Sequence, residues 1–374
     1  MRRVSVVVLL VSLGCASGPS ADKDGFVPLF NGKDLSGWVR VNCAPETFTV
    51  ENGTILSTGK PTGVMRTHRM YENYVIELDW MHLKPRGNAG LFVHSGAVPS
   101  KGVPFTKGHE IQVLDGDSPD GIWTGHGDVF SIHGATFEPD RPHPKGWMRC
   151  LPSEKRAHPA GQWNHYRATM NNGSIKLEVN GKEVSGGTNC KPRKGYICLE
   201  SEGSECHFKN IRIKELPSTN PPADEVADAD QGFKSLYTGL DLRGWTTEPG
   251  DEDHWKAKDW VLDYDGKGHG KISTQGRFAN YILIFDWRSS EKDKASVAPA
   301  ISTRGSKAFP LKATDKPREW VRTEVRVQGN RITVLRGSEK EYEDASAKLF
   351  ERGPITLLSG GPLQVANLFI KELD

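Results

Sequence analysis

Between Asn88 and Asp115 the chain sets two acids, two amides and two imidazoles on two short segments of alternating polarity. In Asn88-Ala-Gly-Leu-Phe-Val-His94, Leu91 and Val93 alternate with Asn88, Gly90, Phe92 and His94. In His109-Glu-Ile-Gln-Val-Leu-Asp115, Ile111 and Val113 alternate with Glu110, Gln112 and Leu114. Side chains of a strand switch faces at every residue, so one set enters a core while the other looks outward. Glu110 and Gln112 then share a face, about 7 Å apart along the strand. A carboxylate placed so can move a proton or simply accept a ligand's hydrogen bond; an amide can hold polar groups in place. His94 could donate to a carbonyl or bind a metal, or be a satisfied group at a strand end. Farther on, Glu200 and Glu202 share parity with Cys198, opposite Ile197 and Leu199. They offer further carboxylates to the same hollow, or a solvated face. Asp115 lies five positions from Glu110, points the other way by parity, and reads as a turn residue.

His109, His126, Asp128, His133 and His143 are spread over a Gly/Pro-rich stretch. Their spacing fits no zinc signature, although loop histidines beside carboxylates could ligate a divalent ion. No cofactor is expected. A connection as long as Trp123–Arg149 commonly forms a lid or binding edge, which makes His133 and Trp123 candidates for contact with a ligand. Trp38, Trp80, Trp147 and Trp163 add stacking planes, the first two within framework strands.

The elements that must position these groups are short strands. Thr47 to Val50, Thr54 to Ser57, Tyr74 to Trp80, Tyr166 to Met170, Ile175 to Val179, Tyr196 to Leu199 and Phe208 to Lys214 alternate apolar with polar residues. Asn-Gly pairs at 52–53, 172–173 and 180–181 separate several of them, and both residues of such a pair accept positive φ, the strongest short hairpin signal. With 40 glycines, 23 prolines and almost no helical periodicity, the chain reads as all-β, an antiparallel sandwich. A length of 374 residues exceeds one typical core and calls for two domains. The near balance of 49 basic and 47 acidic residues, with no basic stripe interleaved with aromatics, argues against a nucleic-acid partner.

Met1 to Gly14 opens with two arginines and continues with an apolar run of about ten residues, the pattern of a secretory signal too short to span a bilayer. Ser-Leu-Gly-Cys15 resembles a bacterial lipobox, which implies export to the periplasm or cell envelope and membrane attachment only through a lipid on Cys15. The remaining cysteines, Cys43, Cys150, Cys190, Cys198 and Cys206, form no CxxC pattern. In an oxidising envelope some pairing is plausible, Cys43 with Cys190 for example.

The chain also repeats itself. Phe26-Val-Pro-Leu-Phe-Asn-Gly-Lys-Asp-Leu-Ser-Gly-Trp38 returns as Phe233-Lys-Ser-Leu-Tyr-Thr-Gly-Leu-Asp-Leu-Arg-Gly-Trp245, an offset of 207 shared by Tyr74–Trp80 and Tyr281–Trp287. Trp163 and Asn210 return as Trp320 and Asn367 at an offset of 157. The second copy has therefore lost 50 residues between Trp287 and Trp320, where the first carries its candidate site. The expected organisation is a leader over 1–15, a first domain over 26–216, a Pro-rich linker over 217–231 and a degenerate copy over 232–374.

Leu29-Phe-Asn-Gly-Lys-Asp-Leu-Ser-Gly-Trp38, Gly87–His94, Glu110–Asp115, Gly161-Gln-Trp-Asn164, Val179-Asn-Gly181 and Phe208–Ile213, taken in order, resemble the 3-keto-disaccharide hydrolase domain family. The resemblance implies a concanavalin-like jelly roll and activity on sugars oxidised at C3. It departs from the family pattern at His94, where arginine is usual, at Glu200 and Glu202, and in the His-rich 123–149 segment. A C3 ketone acidifies the hydrogen at C2, so the glycosidic oxygen at C1 can leave by elimination, followed by hydration; direct hydrolysis is the other route. Either needs a base or acid, for which Glu110, His94 and Glu200 are the candidates, and groups that hold the sugar, for which Asn88, Gln112, Glu202, His133 and Trp123 are. The alternative is a lectin-like envelope protein that binds carbohydrate on the same face without turnover.

Overall fold

The computed structural model describes residues 21–116, 125–290, 297–316 and 318–374. Among them are only strands, turns and one 3-10 turn at Ala223–Glu225, and no helix is long and apolar enough to cross a membrane. The strands form four antiparallel sheets, two in each half of the chain. The leader and Trp123 lie outside the described residues.

In the first half, a nine-stranded sheet is centred on Tyr74–His82, flanked by Asn164–Asn171 and Cys206–Glu215. Facing it is a seven-stranded sheet in the order Arg149–Cys150, Val129–Ile132, Gly108–Leu114, Asn88–Ser95, Tyr196–Ser201, Gly63–Thr67 and Trp38–Arg40. Alternation decides what lies between them. Ile76, Leu78 and Trp80 from the large sheet meet Leu91, Val93, Ile111, Val113, Ile197 and Leu199 from the small one, all buried in one cluster. Each such side chain contributes about 1.5–3 kcal/mol on burial, so the inward set fixes the register of both sheets. The three Asn-Gly pairs close hairpins with both residues at positive φ, 46–48° for the asparagines and 75–83° for the glycines.

The second half repeats this plan with fewer strands. Its large sheet runs Trp255–Lys258, Val261–Tyr264, Leu363–Glu372, Tyr281–Ser289, Val321–Gln328, Arg331–Arg336 and Glu339–Asp344, the order found around Tyr74–His82. Its small sheet has five strands, with Ala300–Thr303 in the place of Asn88–Ser95. The next strand, Phe309–Pro310, is two residues long, and nothing pairs beyond it among the described residues.

All five described cysteines are free, which corrects the suggested Cys43–Cys190 pairing. Cys43 packs beside Val64 of the small sheet, whereas Cys190 ends a strand of the large one.

Candidate active site

The outward face of the small sheet carries a cleft of about 520 Å³. Three neighbouring strands, Gly108–Leu114, Asn88–Ser95 and Tyr196–Ser201, supply its floor. Gln112 pairs with Gly90 and Glu110 with Phe92 across the first strand pair; Leu199 opposite Leu91 sets Glu200 beside Gly90 across the second. Gly90 therefore lies in the middle of a row from Gln112 to Glu200 and contributes no side chain to it. Glu200 Oε2 and Glu110 Oε1 lie 2.9 and 3.0 Å from the point where a β-carbon on Gly90 would sit. The two oxygens are consequently no more than about 6 Å apart, across a gap left by a missing methyl group.

Both carboxyls are nearly inaccessible, Glu110 at 6% and Glu200 at 1% exposure, and Glu200 Oε2 has no hydrogen-bond partner among the described residues. Burial pushes Glu110 well above the ordinary carboxylate range; Glu202 adds to the shift and the Arg149 guanidinium opposes it. Burial, then Glu110 and Glu202, raise Glu200 in the same direction. Burial and the nearby Asp259 of the second sandwich raise Glu202. Acids crowded in this way hold protons jointly, and both burial and mutual repulsion favour their protonated forms.

Amides steady the floor. Gln112 Nε2 donates to Asn88 Oδ1 at 2.7 Å, and Asn88 Nδ2 donates to Glu202 Oε2. With its amide nitrogen committed, Gln112 has its side-chain oxygen, an acceptor, as the remaining hydrogen-bonding group. Beneath it, Tyr166 donates its hydroxyl to the Gln112 carbonyl at 2.7 Å. The cleft thus gathers Glu110, Gln112, Asn88, Glu200, Glu202 and His133.

His94 does not join them. Its φ of +52° and the register shift between Tyr196 and Cys198 break the alternation at the strand end. The ring turns into the sandwich, 5.8 Å from Tyr74, and bonds the Glu72 carbonyl at 2.9 Å. Burial, with His109 nearby, lowers it to about 3, a neutral structural histidine without access to substrate. Asp115 also departs from expectation. It lines one end of the cleft and accepts the Arg86 N–H at 3.0 Å, tying the strand that begins at Asn88 to the one that ends at Leu114.

The histidines of the long connection do not converge, and no group of three ligand-type side chains gathers among the described residues. His109 is buried against Ser131 and the Pro192 carbonyl, His126 receives the Arg156 and Ala157 N–H groups, and His143 stacks on Trp147. Asp128 instead pairs with Arg149 at 2.5 Å, both fully or nearly buried. His133 lines the cleft, stacked on Phe105 with centroids 6.1 Å apart.

Sequence reasoning missed Arg149, Phe105 and Phe130. Arg149 belongs to a two-residue strand, and its guanidinium lies 3.6 Å from the Phe130 ring centre, facing the acids. Phe105, Phe130 and Ile132 form the apolar wall of the cleft. Trp38 and Trp80 are core, and neither Trp147 nor Trp163 lines this cleft.

A jelly-roll sandwich whose sheet face carries paired acids, amides and an aromatic wall fits a glycoside-hydrolase-like enzyme, the class to which the family match assigns it. Residues 25–214 match the 3-keto-alpha-glucoside-1,2-lyase-like domain, and the chain belongs to that family. A protein of Bacteroides thetaiotaomicron named 3-keto-disaccharide hydrolase is 23% identical over 248 residues, 52% of this chain and 80% of the relative. A solved structure of a candidate glycosyl hydrolase from Parabacteroides distasonis is 25% identical, with a TM-score of 0.42 over 52% of this chain and 95% of that one. A second from the same organism is 22% identical with a TM-score of 0.37, covering 51% of this chain and 99% of that one.

Proposed function

We propose that the protein cleaves 3-keto glycosides in the cleft of the first sandwich, with Glu110 and Glu200 exchanging protons with the substrate. The observation that carries this reading is the pair of buried acids facing one another across Gly90, one of them with an unpartnered oxygen. Glu110, nearer to Arg149, takes the C2 hydrogen as the C1–C2 double bond forms and the C1–O bond breaks. Glu200, with no cation against it, gives its proton to the departing glycosidic oxygen. Arg149 would meet negative charge on the C3 oxygen, while the side-chain oxygen of Gln112 would accept from a sugar hydroxyl. Water then adds to C1 of the enone, which returns the hemiacetal of the 3-keto sugar. The family match and the name of the Bacteroides relative support the substrate class.

The basic, apolar and cysteine-ending start of the chain supports export and a lipid on Cys15, and no cofactor enters the scheme. The topological agreement of the two halves supports reading the second sandwich as a silent copy. A lectin-like use of the cleft would leave two buried acids with nothing to do, at a cost in stability that binding alone does not require. Glu110→Gln keeps the shape and removes the base. We expect it to abolish turnover of a 3-keto glucoside while sugar affinity stays within about threefold, since hydrogen-bonding capacity is retained. Equal losses of binding and turnover, or an inactive wild type, would favour the lectin.

A further inference from the structure

The apolar wall of the cleft hangs on a loop that the first sandwich does not hold by itself. Residues 97–106 leave the end of Asn88–Ser95, turn back through the Pro99–Thr106 bridge and deliver Phe105 to the cleft. Asn42 Nδ2 donates to the Pro104 carbonyl at 2.9 Å. Four further backbone groups of the loop bond side chains of the second sandwich. Gly102 donates its N–H to Asp286 Oδ2 at 2.8 Å, and Arg322 Nη2 donates to the Pro99 carbonyl at 2.9 Å. Asn367 Nδ2 donates to the Ser100 and Val103 carbonyls at 3.1 and 2.9 Å.

The socket is itself cross-braced. Arg322 grips the fully buried Asp286 carboxylate with two nitrogens, at 2.7 and 2.9 Å, and Asn367 Nδ2 reaches the same carboxylate at 2.8 Å. A β-carbon on Gly102 would meet the Trp320 ring at 2.4 Å, so the loop lies flat on that indole. Around this polar centre, Ile284 and Phe369 of the second sandwich share one buried cluster with Val64, Phe92, Ala97 and Tyr196 of the first, with Phe105 packed against it.

The internal repeat shows that this contact is a specialised one. The first sandwich has its own version of the socket, Asp79 with His165 at 2.7 Å and Asn210 at 2.6 Å. Asn210 and Asn367 are both left-handed, with φ of 53° and 48°. Around Asp79, however, Glu77 and Arg212 occupy the positions of Ile284 and Phe369 at the repeat offsets, and they pair with each other. The same sheet face is thus charged in one copy and apolar, docked on a neighbour, in the other.

We propose that the second sandwich is a positioning element of the cleft: through Asp286, Arg322 and Asn367 it holds the 97–106 loop by its backbone, so that Phe105 stands as the surface on which a sugar ring or an apolar aglycone packs. The proposal rests on the reading that the cleft turns over 3-keto glycosides. The socket touches no acid of the floor, so its loss weakens substrate binding and leaves proton transfer alone.

Asn367→Gly keeps the left-handed backbone and deletes the donor. Gly102→Ala attacks the same contact from the loop side. In the full chain, each is expected to raise KM for a 3-keto glucoside about tenfold, with kcat within about threefold and an unchanged pH profile, as does Phe105→Ala. Asn367→Gly added to Phe105→Ala should bring little further loss, because both act through one surface. Amide hydrogen exchange over 97–106 should quicken in Asn367→Gly while Asn88–Ser95 stays protected. An unchanged exchange rate in the loop overturns the clamp whatever the enzyme's activity. Additive effects of the two substitutions, or an unchanged KM, overturn its link to the cleft. A wild type that exchanges as expected but turns over no 3-keto glycoside overturns the functional reading alone.

Discussion

Replacing Gly90 by alanine tests the arrangement of the two acids more sharply than removing either of them. The backbone at Gly90 is not left-handed, so alanine is conformationally permitted there. Its methyl group would lie 2.9 Å from Glu200 Oε2, 3.0 Å from Glu110 Oε1 and 2.9 Å from Phe92 Cε1, where ordinary contact begins at 3.4 Å. Each carboxyl end must therefore retreat by about half an ångström, and both can, because they are the free ends of side chains. A displacement of 1 Å at a reacting group costs on the order of 100-fold in rate, so about half that distance should cost roughly tenfold or more in kcat. Alanine in a strand gains about 0.5–1 kcal/mol over glycine through the unfolded chain, which offsets part of the strain of moving two carboxyl ends and the buried Phe92 ring, so the fold should survive with a modest loss of stability. The assay is kcat and KM on a 3-keto glucoside beside a thermal melt of the same preparation. Wild-type activity in a folded Gly90→Ala protein would show that the acids do not work across this gap. A collapsed melting temperature would show that the gap serves packing instead.

Two other outcomes follow from the same acids. Glu200 has its folded-state pKa raised by burial above the ordinary 4.5, so the fold favours its protonated form; that stability is present below about 4.5 and is lost as pH rises through the folded value. Glu200→Gln never ionises, so its melting temperature should exceed that of wild type by a margin that grows as pH rises from 4.5, measured by melts between pH 4 and 9; a margin independent of pH would refute the assignment. The full chain carrying Glu110→Gln and Glu200→Gln together should have no turnover above background, and residual cleavage would locate chemistry in the second sandwich.

How far the sequence could be read depended on whether a side chain's direction was set locally. Period-two alternation was enough to turn Glu110 and Gln112 away from Ile111 and Val113, and Glu200 away from Leu199. The Asn-Gly hairpins were equally local, because both residues of each pair carry their own conformational preference. His94 obeyed the same alternation on paper and escaped it in space, since one left-handed residue at a register shift redirects everything beyond it. Nothing near His94 announces such a residue. Arg149, Phe130 and Phe105 were missed for a different reason. The first pair is brought to the floor by adjacent short strands, Val129–Ile132 and Arg149–Cys150, and the loop of Phe105 takes its course from side chains nearly two hundred residues or more away. Their positions are properties of the assembled sheets.

The same contrast explains how one sandwich plan came to carry two roles. Ile301 faces Leu357 in the core of the second sandwich as Leu91 faces Leu199 in the first, which makes Ala300 and Leu358 the counterparts of Gly90 and Glu200. A methyl group fills the gap, a leucine replaces the acid, and the strand that would carry a second acid is reduced to Phe309–Pro310. The hollow on that face, about 400 Å³, is lined by Lys271, Arg277, Ser302 and Leu358 and has no acid among its described lining. The opposite sheet has the same strand order apart from Thr136–Pro139, which has no counterpart among the described residues, and it carries Ile284 and Phe369 where the first has the Glu77–Arg212 pair, giving an apolar surface around an intact Asp–Asn socket. Burying that surface against the first sandwich stabilises the pair by burial, while the socket, made of directional hydrogen bonds to backbone, fixes where the 97–106 loop must run. Non-directional burial holds the halves together; the polar contacts give the cleft wall its position.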